Sequence, residues 1–178
     1  MPETQGKQPE KPRAAKPADI RLRPATPEDH DFLLRVYASV RKEEMAATDW
    51  SPEMIDKFIQ MQFEAQQTHY KTHYSTASFD VVLFHGEPVG NLYIERTAER
   101  ILGVDIAMLA EYRNRGIGGL LVHDLQKESL KKGIPFVIQV LKHNVKAQRL
   151  YRRMGFSFLG EEGFHYRMKW DGTTVAEA

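Results

Sequence analysis

The chain has 178 residues, 42% of them hydrophobic and 28% charged, with a net charge of +1. That describes one ordinary globular domain long enough to bury a sizeable core, and the near-neutral balance gives no electrostatic reason to expect nucleic acid as a partner. No apolar run reaches the length of a membrane span, no secretory-type apolar leader stands at the start, and cysteine is absent, so a reducing, cytoplasmic setting without disulfides or a thiol-borne acyl group is expected.

Residues 1–19 carry Pro2, Pro9, Pro12 and Pro17 among Lys, Arg, Gln and Ala, the composition of a disordered tail. Its cations Lys7, Lys11, Arg13 and Lys16 suit a tether to an acidic partner or a bare spacer. Residues 20–170 read as the folded domain and 171–178 as a flexible end. Ile20-Arg21-Leu22-Arg23 alternates as a half-buried strand does. Thr26-Pro27-Glu28-Asp29 caps a helix whose buried face is Phe32, Leu33, Val36, Tyr37 and Val40. A loop is expected over Arg41–Trp50, and a second helix from Ser51-Pro52-Glu53 to about Tyr70. The polar stretch Thr68–Ser78 would separate that helix from the sheet.

Asp80–Phe84 and Val89–Ile94 flank His85-Gly86-Glu87-Pro88, a hairpin signal. Thr97–Arg100 turns the chain into an apolar strand, Ile101–Leu109. After it come Arg113-Asn114-Arg115-Gly116-Ile117-Gly118-Gly119-Leu120 and a helical pattern with Ile117, Leu120, Leu121, Leu125 and Leu130 on one face. Lys131-Lys132-Gly133 stops that helix. Phe136–Leu141 is a further strand, Val145–Met154 a short helix, and Phe156–Gly160 with Phe164–Trp170 a closing hairpin.

A strand, a glycine-rich turn and a helix aim unpaired backbone N–H groups and a positive helix end at one place, which suits a phosphate. The glycines serve a plain chain reversal equally well. No Lys-Ser/Thr follows them, as a nucleotide-triphosphate loop requires, and Leu121 fills the last slot of the dinucleotide fingerprint, so both of those loops are excluded.

Arg113-x-x-Gly116-x-Gly118 does resemble the coenzyme A loop of the GCN5-related N-acetyltransferase (GNAT) superfamily. Downstream, Asn144-x-x-Ala147-x-x-Leu150-Tyr151-x-x-x-Gly155-Phe156 resembles that superfamily's second motif, in the same order along the chain. The resemblance spans Ile20 to Trp170. It implies an α/β fold: a mixed, mostly antiparallel sheet of about seven strands with flanking helices and a splayed centre. The implied activity is transfer of an acetyl group from acetyl-CoA to an amine in a ternary complex, with no metal. A coenzyme A binding or sensing module on the same fold is the alternative.

Acetyl transfer needs a held diphosphate, a polarised thioester carbonyl and moved protons. By the resemblance, the first falls to the N–H groups from Arg115 to Leu120, with Arg113 and Arg115 as cations and Asn114 within the turn. The second falls to the main chain of Ile106-Ala107-Met108, on a bulged strand that splays from its neighbour. The third falls to Tyr151 as acid, with Asn144 and Ala147 beside it on the coenzyme, Asn144 also being placed to cap a helix. No base is singled out among Asp105, Glu95, His143, Glu43, Glu44, His69 and His73, and ordered water serves many members of the superfamily. Gln139 and Leu141 stand where members that acetylate protein N-termini carry glutamate and arginine. A small-molecule amine or a lysine side chain is thus favoured over an amino-terminal acceptor, in a monomer or homodimer.

Overall fold

The structure is a computed structural model that describes residues 14–46 and 48–172. Among these, strands β1 (Ile20–Pro24), β2 (Ser78–Phe84), β3 (Glu87–Arg96), β4 (Ile101–Met108), β5 (Phe136–Leu141), β6 (Ser157–Glu162) and β7 (His165–Trp170) form one sheet in the order β1-β2-β3-β4-β5-β7-β6. Every neighbouring pair is antiparallel except β4–β5. The mixed seven-stranded sheet implied by the sequence resemblance is therefore present.

Helices α1 (His30–Met45) and α2 (Pro52–His73) cover one face, and α3 (Ile117–Lys132) and α4 (Val145–Arg153) the other. The alternation along the strands sorts the two faces. Val82, Leu92, Ile94, Ile101, Phe136, Ile138 and Trp170 pack with α3 and α4, whereas Val81 meets α1 and α2, and Tyr93, Leu102, Val104 and Val137 pack against Tyr70 of α2 and against Tyr74.

Local chemistry sets the boundaries. His85 and Gly86 both adopt positive φ in the two-residue turn between β2 and β3, the backbone a tight hairpin requires. Gly133 ends α3 at φ 65° with its N–H on Leu130 and Ser129 carbonyls. Ser51 caps α2 by accepting from the Met54 amide. Asp29 secures the start of α1. Its carboxylate takes both guanidinium nitrogens of Arg23 at 2.7 Å and the Thr26 amide at 2.9 Å, which holds its pKa far below the usual carboxylate range.

Both helices on the first face are longer than the sequence reading. Arg41–Met45, expected as loop, continues α1, because Arg41 lies over the Tyr37 ring and pairs with Glu44 one turn on. Thr68–His73, expected as a separator, continues α2, with His69 stacked on His73 at 4.1 Å. On α3 the buried stripe is Ile117, Leu121, Val122, Leu125, Gln126 and Ser129, while Leu130 is turned outward.

The expected tail is described only from residue 14 on, and Lys7, Lys11 and Arg13 lie outside the described residues. Residues 14–19 lie on the domain rather than apart from it: the Ala15 amide donates to the Arg115 carbonyl at 2.8 Å and Pro17–Asp19 make a single helical turn. Of the expected flexible end, 173–178 lie outside the described residues. No described helix is long and apolar enough to cross a membrane.

Candidate functional site

The centre of the sheet is where the site begins. β4 and β5 pair only over Ile101–Gly103 with Phe136–Ile138, and beyond that rung the strands part. Gly103 stands at the fork, and a Cβ there would come within 2.9 Å of the Ile138 side chain. Just past it the β3–β4 register slips, with Tyr93 opposite Asp105 and Ile94 opposite Gly103, so Val104 is the extra residue of a bulge. Bulge and fork together free one edge of β4. The Leu109 amide bonds the Val89 carbonyl of β3, so by alternation the amide of Met108 faces the gap. Gly90 of β3 lets Met108 lie close, since a Cβ there would meet the Ala107 carbonyl and the Met108 sulfur within 2.5 Å.

The gap opens into a cleft of about 1810 Å³ lined by residues of α1, α2, β3, β4, the turn before α3, β5 and α4. At one end is the glycine turn. Asn114 and Gly116 both have positive φ, which turns the chain sharply into α3. Among the described residues, the amides of Asn114, Arg115, Gly116, Ile117, Gly118 and Gly119 have no hydrogen-bond acceptor. The Leu120 amide, expected among the free donors, instead closes the first helical turn on the Gly116 carbonyl at 3.0 Å. Gly116, Ile117, Gly118 and Gly119 line the cleft, and nothing lies within 4 Å of a Cβ built on Gly118 or Gly119. This is a helix N-terminus with room for an anion.

The two arginines separate. Arg113, expected as a phosphate cation, turns back into the fold: Nε donates to the Met108 carbonyl at 3.0 Å, and its other nitrogens reach Glu43 at 2.7 Å and Ser39 at 2.9 Å. Its role is to tie α1 to the end of β4. Arg115 lies over the Tyr112 ring at 4.9 Å and makes no ion pair among the described residues, so its charge stays near the turn. Lys146, Arg149 and Arg152 of α4 also line the cleft. Sequence reading passed over them, although their shared helix carries no acid.

Opposite the turn, α4 starts on Asn144, whose side chain accepts from the Ala147 amide at 3.0 Å. The capping role anticipated for Asn144 is therefore realised, and Ala147 packs on the core beside Tyr151. Tyr151 is 8% exposed and lies against Phe156 at 5.7 Å. Its hydroxyl has no partner among the described residues and is not among the fully enclosed orphan groups, so it meets the cleft. Burial, then the nearby Asp105 charge, pushes its pKa up to about 12.

Of the candidate bases, Asp105 is the one on the floor of the cleft. It accepts from the Asn91 side-chain amide at 2.8 Å, and burial raises its pKa against that hydrogen bond, the Arg41 charge and the Ile106 backbone N–H. Glu95 accepts from Thr76 and lies outside the cleft, as does His73. His69 lines the wall. Glu43 and Glu44 are adjacent on α1 yet reach opposite lips: Glu43 bonds Arg113 before α3, and Glu44 bonds His143 before α4 at 2.8 Å as well as Arg41. A wall of Tyr37, Tyr70, Tyr74 and Tyr93, spaced too irregularly in sequence to be foreseen as one surface, closes the side away from the turn.

Residues 37–156 match the profile of the Acetyltransferase (GNAT) family. Thialysine N-epsilon-acetyltransferase of Sus scrofa is 33% identical over 104 residues, which cover 52% of this chain and 61% of that protein, so the match spans under two thirds of the relative. In fold, PaiA N-acetyltransferase from Thermoplasma acidophilum, solved with coenzyme A, superposes with a TM-score of 0.64 at 20% identity, over 85% of this chain and 98% of that one. A GNAT family acetyltransferase from Elizabethkingia anophelis with acetyl-CoA bound gives 0.52 at 18% identity, over 86% and 98%.

Proposed function

The chain belongs to the GNAT acetyltransferase family, and from that premise we propose that it moves the acetyl group of acetyl-CoA onto a primary amine held in the same cleft. The observation that carries this reading is the convergence on one gap of unbonded amides from Asn114 to Gly119, the free edge of β4 and the Tyr151 hydroxyl. Solved relatives that hold coenzyme A or acetyl-CoA on the same fold support the donor.

The residues present fit the donor. The amides of Arg115 to Gly119, with the charge of Arg115, suit its diphosphate. The gap-facing amide of Met108 suits the thioester oxygen, whereas the Ile106 amide is turned to the Asp105 carboxylate and the Met108 carbonyl is engaged by Arg113. Bound acetyl-CoA supplies an acetyl carbon activated as a thioester.

Asp105 is suited to take the proton from the entering ammonium. Its raised pKa makes the carboxylate a better base than an exposed one, and Asn91 fixes its orientation. Tyr151 stays protonated at working pH and can give its proton to the departing thiolate. Asp105 stands on β4 and Tyr151 on α4, on opposite sides of the gap, and the chain has no cysteine to carry an acyl group, so direct attack without an acyl-enzyme is the simplest path.

The Sus scrofa relative is named for acetylating an ε-amine of a small amino acid analogue, which supports a small-molecule acceptor here. Lack of cysteine suits a cytoplasmic setting. The test is an amine panel scored by release of free coenzyme A from acetyl-CoA, alongside the rise in melting temperature that acetyl-CoA causes. A binding shift with no release from any amine would leave a sensor and remove the transferase.

A further inference from the structure

The last turn of α1 carries two adjacent carboxylates, and the acetyl-transfer chemistry uses neither. Neighbouring residues of a helix point about 100° apart, so Glu43 and Glu44 leave α1 in different directions. Glu43 pairs with Arg113 at 2.7 Å, and Glu44 with His143 at 2.8 Å. Arg113 belongs to the turn that follows β4, and His143 to the turn that joins β5 to α4. The two margins of the gap are thus tied to one helix turn.

Helix α1 itself stands on the β4 margin. Phe32, Leu33 and Val36 pack with Val81 of β2, and Ala107 and Leu109 at the end of β4 lie against that cluster. Arg113 adds a further hold there, donating to Ser39 at 2.9 Å and to the Met108 carbonyl at 3.0 Å. The backbone of the opposite margin is fastened to its own side. Gln148 of α4 donates to the Leu141 and Lys142 carbonyls, and the Lys142 amide donates to the Phe164 carbonyl before β7. Among the described residues, β4 and β5 share no rung past Gly103–Ile138, and the Glu44–His143 pair bridges that unpaired interval.

The link is built on a charged carboxylate. Burial opposes the charge on Glu44, yet hydrogen bonds with Arg41 at 2.7 Å and with His143 hold its carboxyl below the ordinary range. The Glu44 side chain is 32% exposed, so water screens the pair in part. Arg41 also lies over the Tyr37 ring, and Tyr37, Val40 and Arg41 line the cleft on the acceptor side. One residue past His143, Asn144 caps α4, and Tyr151 stands about two turns along that helix.

We infer that Glu44 is a positioning residue for the bound donor: through His143 it holds the start of α4 against the end of β4, which Glu43 holds through Arg113. The Met108 amide and the Tyr151 hydroxyl then face one thioester from opposite margins. This deepens the acetyltransferase reading and rests on it for the roles of those two groups. The bridge lies across the gap that would hold the donor, so its loss should free the donor as well as misplace the acid.

The experiment is stopped-flow dissociation of acetyl-CoA from the full chain, as wild type, Glu44→Ala, Glu44→Gln, His143→Ala and the double variant Glu44→Ala/His143→Ala. Dissociation should quicken about fivefold in Glu44→Ala and in His143→Ala, the scale of a part-exposed ion pair. Glu44→Gln keeps a hydrogen bond to His143 and should stay within about twofold of wild type. The double variant should release the donor no faster than Glu44→Ala, because both changes break one link. Melting without ligand is read beside these rates, since a merely stabilising pair would lower the melting temperature and leave dissociation unchanged. That outcome, or multiplied rates in the double variant, overturns the inference. Release of free coenzyme A in the amine panel is scored separately. Faster dissociation with turnover from no amine keeps the bridge and removes the transferase, and turnover with unchanged dissociation removes the bridge alone.

Discussion

Substituting Gly118 by aspartate separates the stability of α3 from the anion-binding capacity of its N-terminus, because the two respond with opposite sign. Gly118 has open space around the position of a Cβ, so the side chain enters without collision. It lies in the first turn of α3, which has no acidic residue. An acid there gains about 0.5 kcal/mol from the helix dipole, and leaving glycine adds about 0.3 kcal/mol of helix propensity. For a domain of this size that predicts a rise in melting temperature of about 2 °C for the protein alone. The same carboxylate sits where the diphosphate would, beside unbonded amides on either side. Acetyl-CoA at a hundredfold its dissociation constant stabilises the wild type by about 2.7 kcal/mol, and the variant should lose nearly all of that increment. Thermal melts with and without acetyl-CoA read both effects. A variant that melts higher and still shows the full ligand increment would falsify the assignment of the turn as the diphosphate site. One that melts several degrees lower without ligand would refute the packing argument instead.

Tyr151→Phe removes the hydroxyl and leaves the ring on Phe156, so acetyl-CoA binding should persist while kcat falls about a hundredfold, as single-turnover kinetics would show. Asp105→Asn should abolish the acid limb of the kcat/KM profile, which in the wild type should lie above the ordinary carboxylate range because burial raises that pKa. The stability effect has the opposite sense. A carboxyl whose pKa rises on folding stabilises most below its unfolded pKa and loses that contribution as pH rises through the folded one, so Asp105→Asn should melt higher than wild type at pH above neutrality. Asp29→Ala should destabilise by about 2 kcal/mol in urea melts, since it strips Arg23 and the Thr26 amide of their acceptor. Asp29 has a lowered pKa, so the wild type keeps this contribution above about pH 4 and loses it as pH falls through the folded value, and the variant's deficit should narrow in acid.

The sheet was legible because each strand carries its own pattern and each turn its own chemistry, as at His85-Gly86 and Lys132-Gly133. Helix ends on the acceptor side were not. Arg41–Met45 and Thr68–His73 look polar and loop-like in sequence, and the one-turn pairs within them are joined by partners distant in the chain that no local pattern encodes: Arg113 on Glu43, His143 on Glu44, Tyr93 against Tyr70. The same limit explains Arg113. Its place in the loop motif suggested a phosphate contact, but what its guanidinium touches depends on where Ser39 and Glu43 fall, which no local pattern encodes. Leu120 is the reverse case, since counting four residues from Gly116 foretells that its amide closes the first turn. Asp105 could be named among several acids but not chosen, because the choice rests on Asn91 across the strand and on a bulge that brings Tyr93 opposite.

Among the described residues, three residue pairs, Ile101–Phe136 to Gly103–Ile138, make the strand-to-strand seam between β1–β4 on one side and β5, β7 and β6 on the other. A molecule lying along the open part of that seam replaces the missing rungs and binds both margins at once. Occupancy should therefore slow amide hydrogen exchange on strands it never touches, β6 and β7 included, because a ligand bridging the gap adds to the backbone seam a second link beside the shared core under α3 and α4.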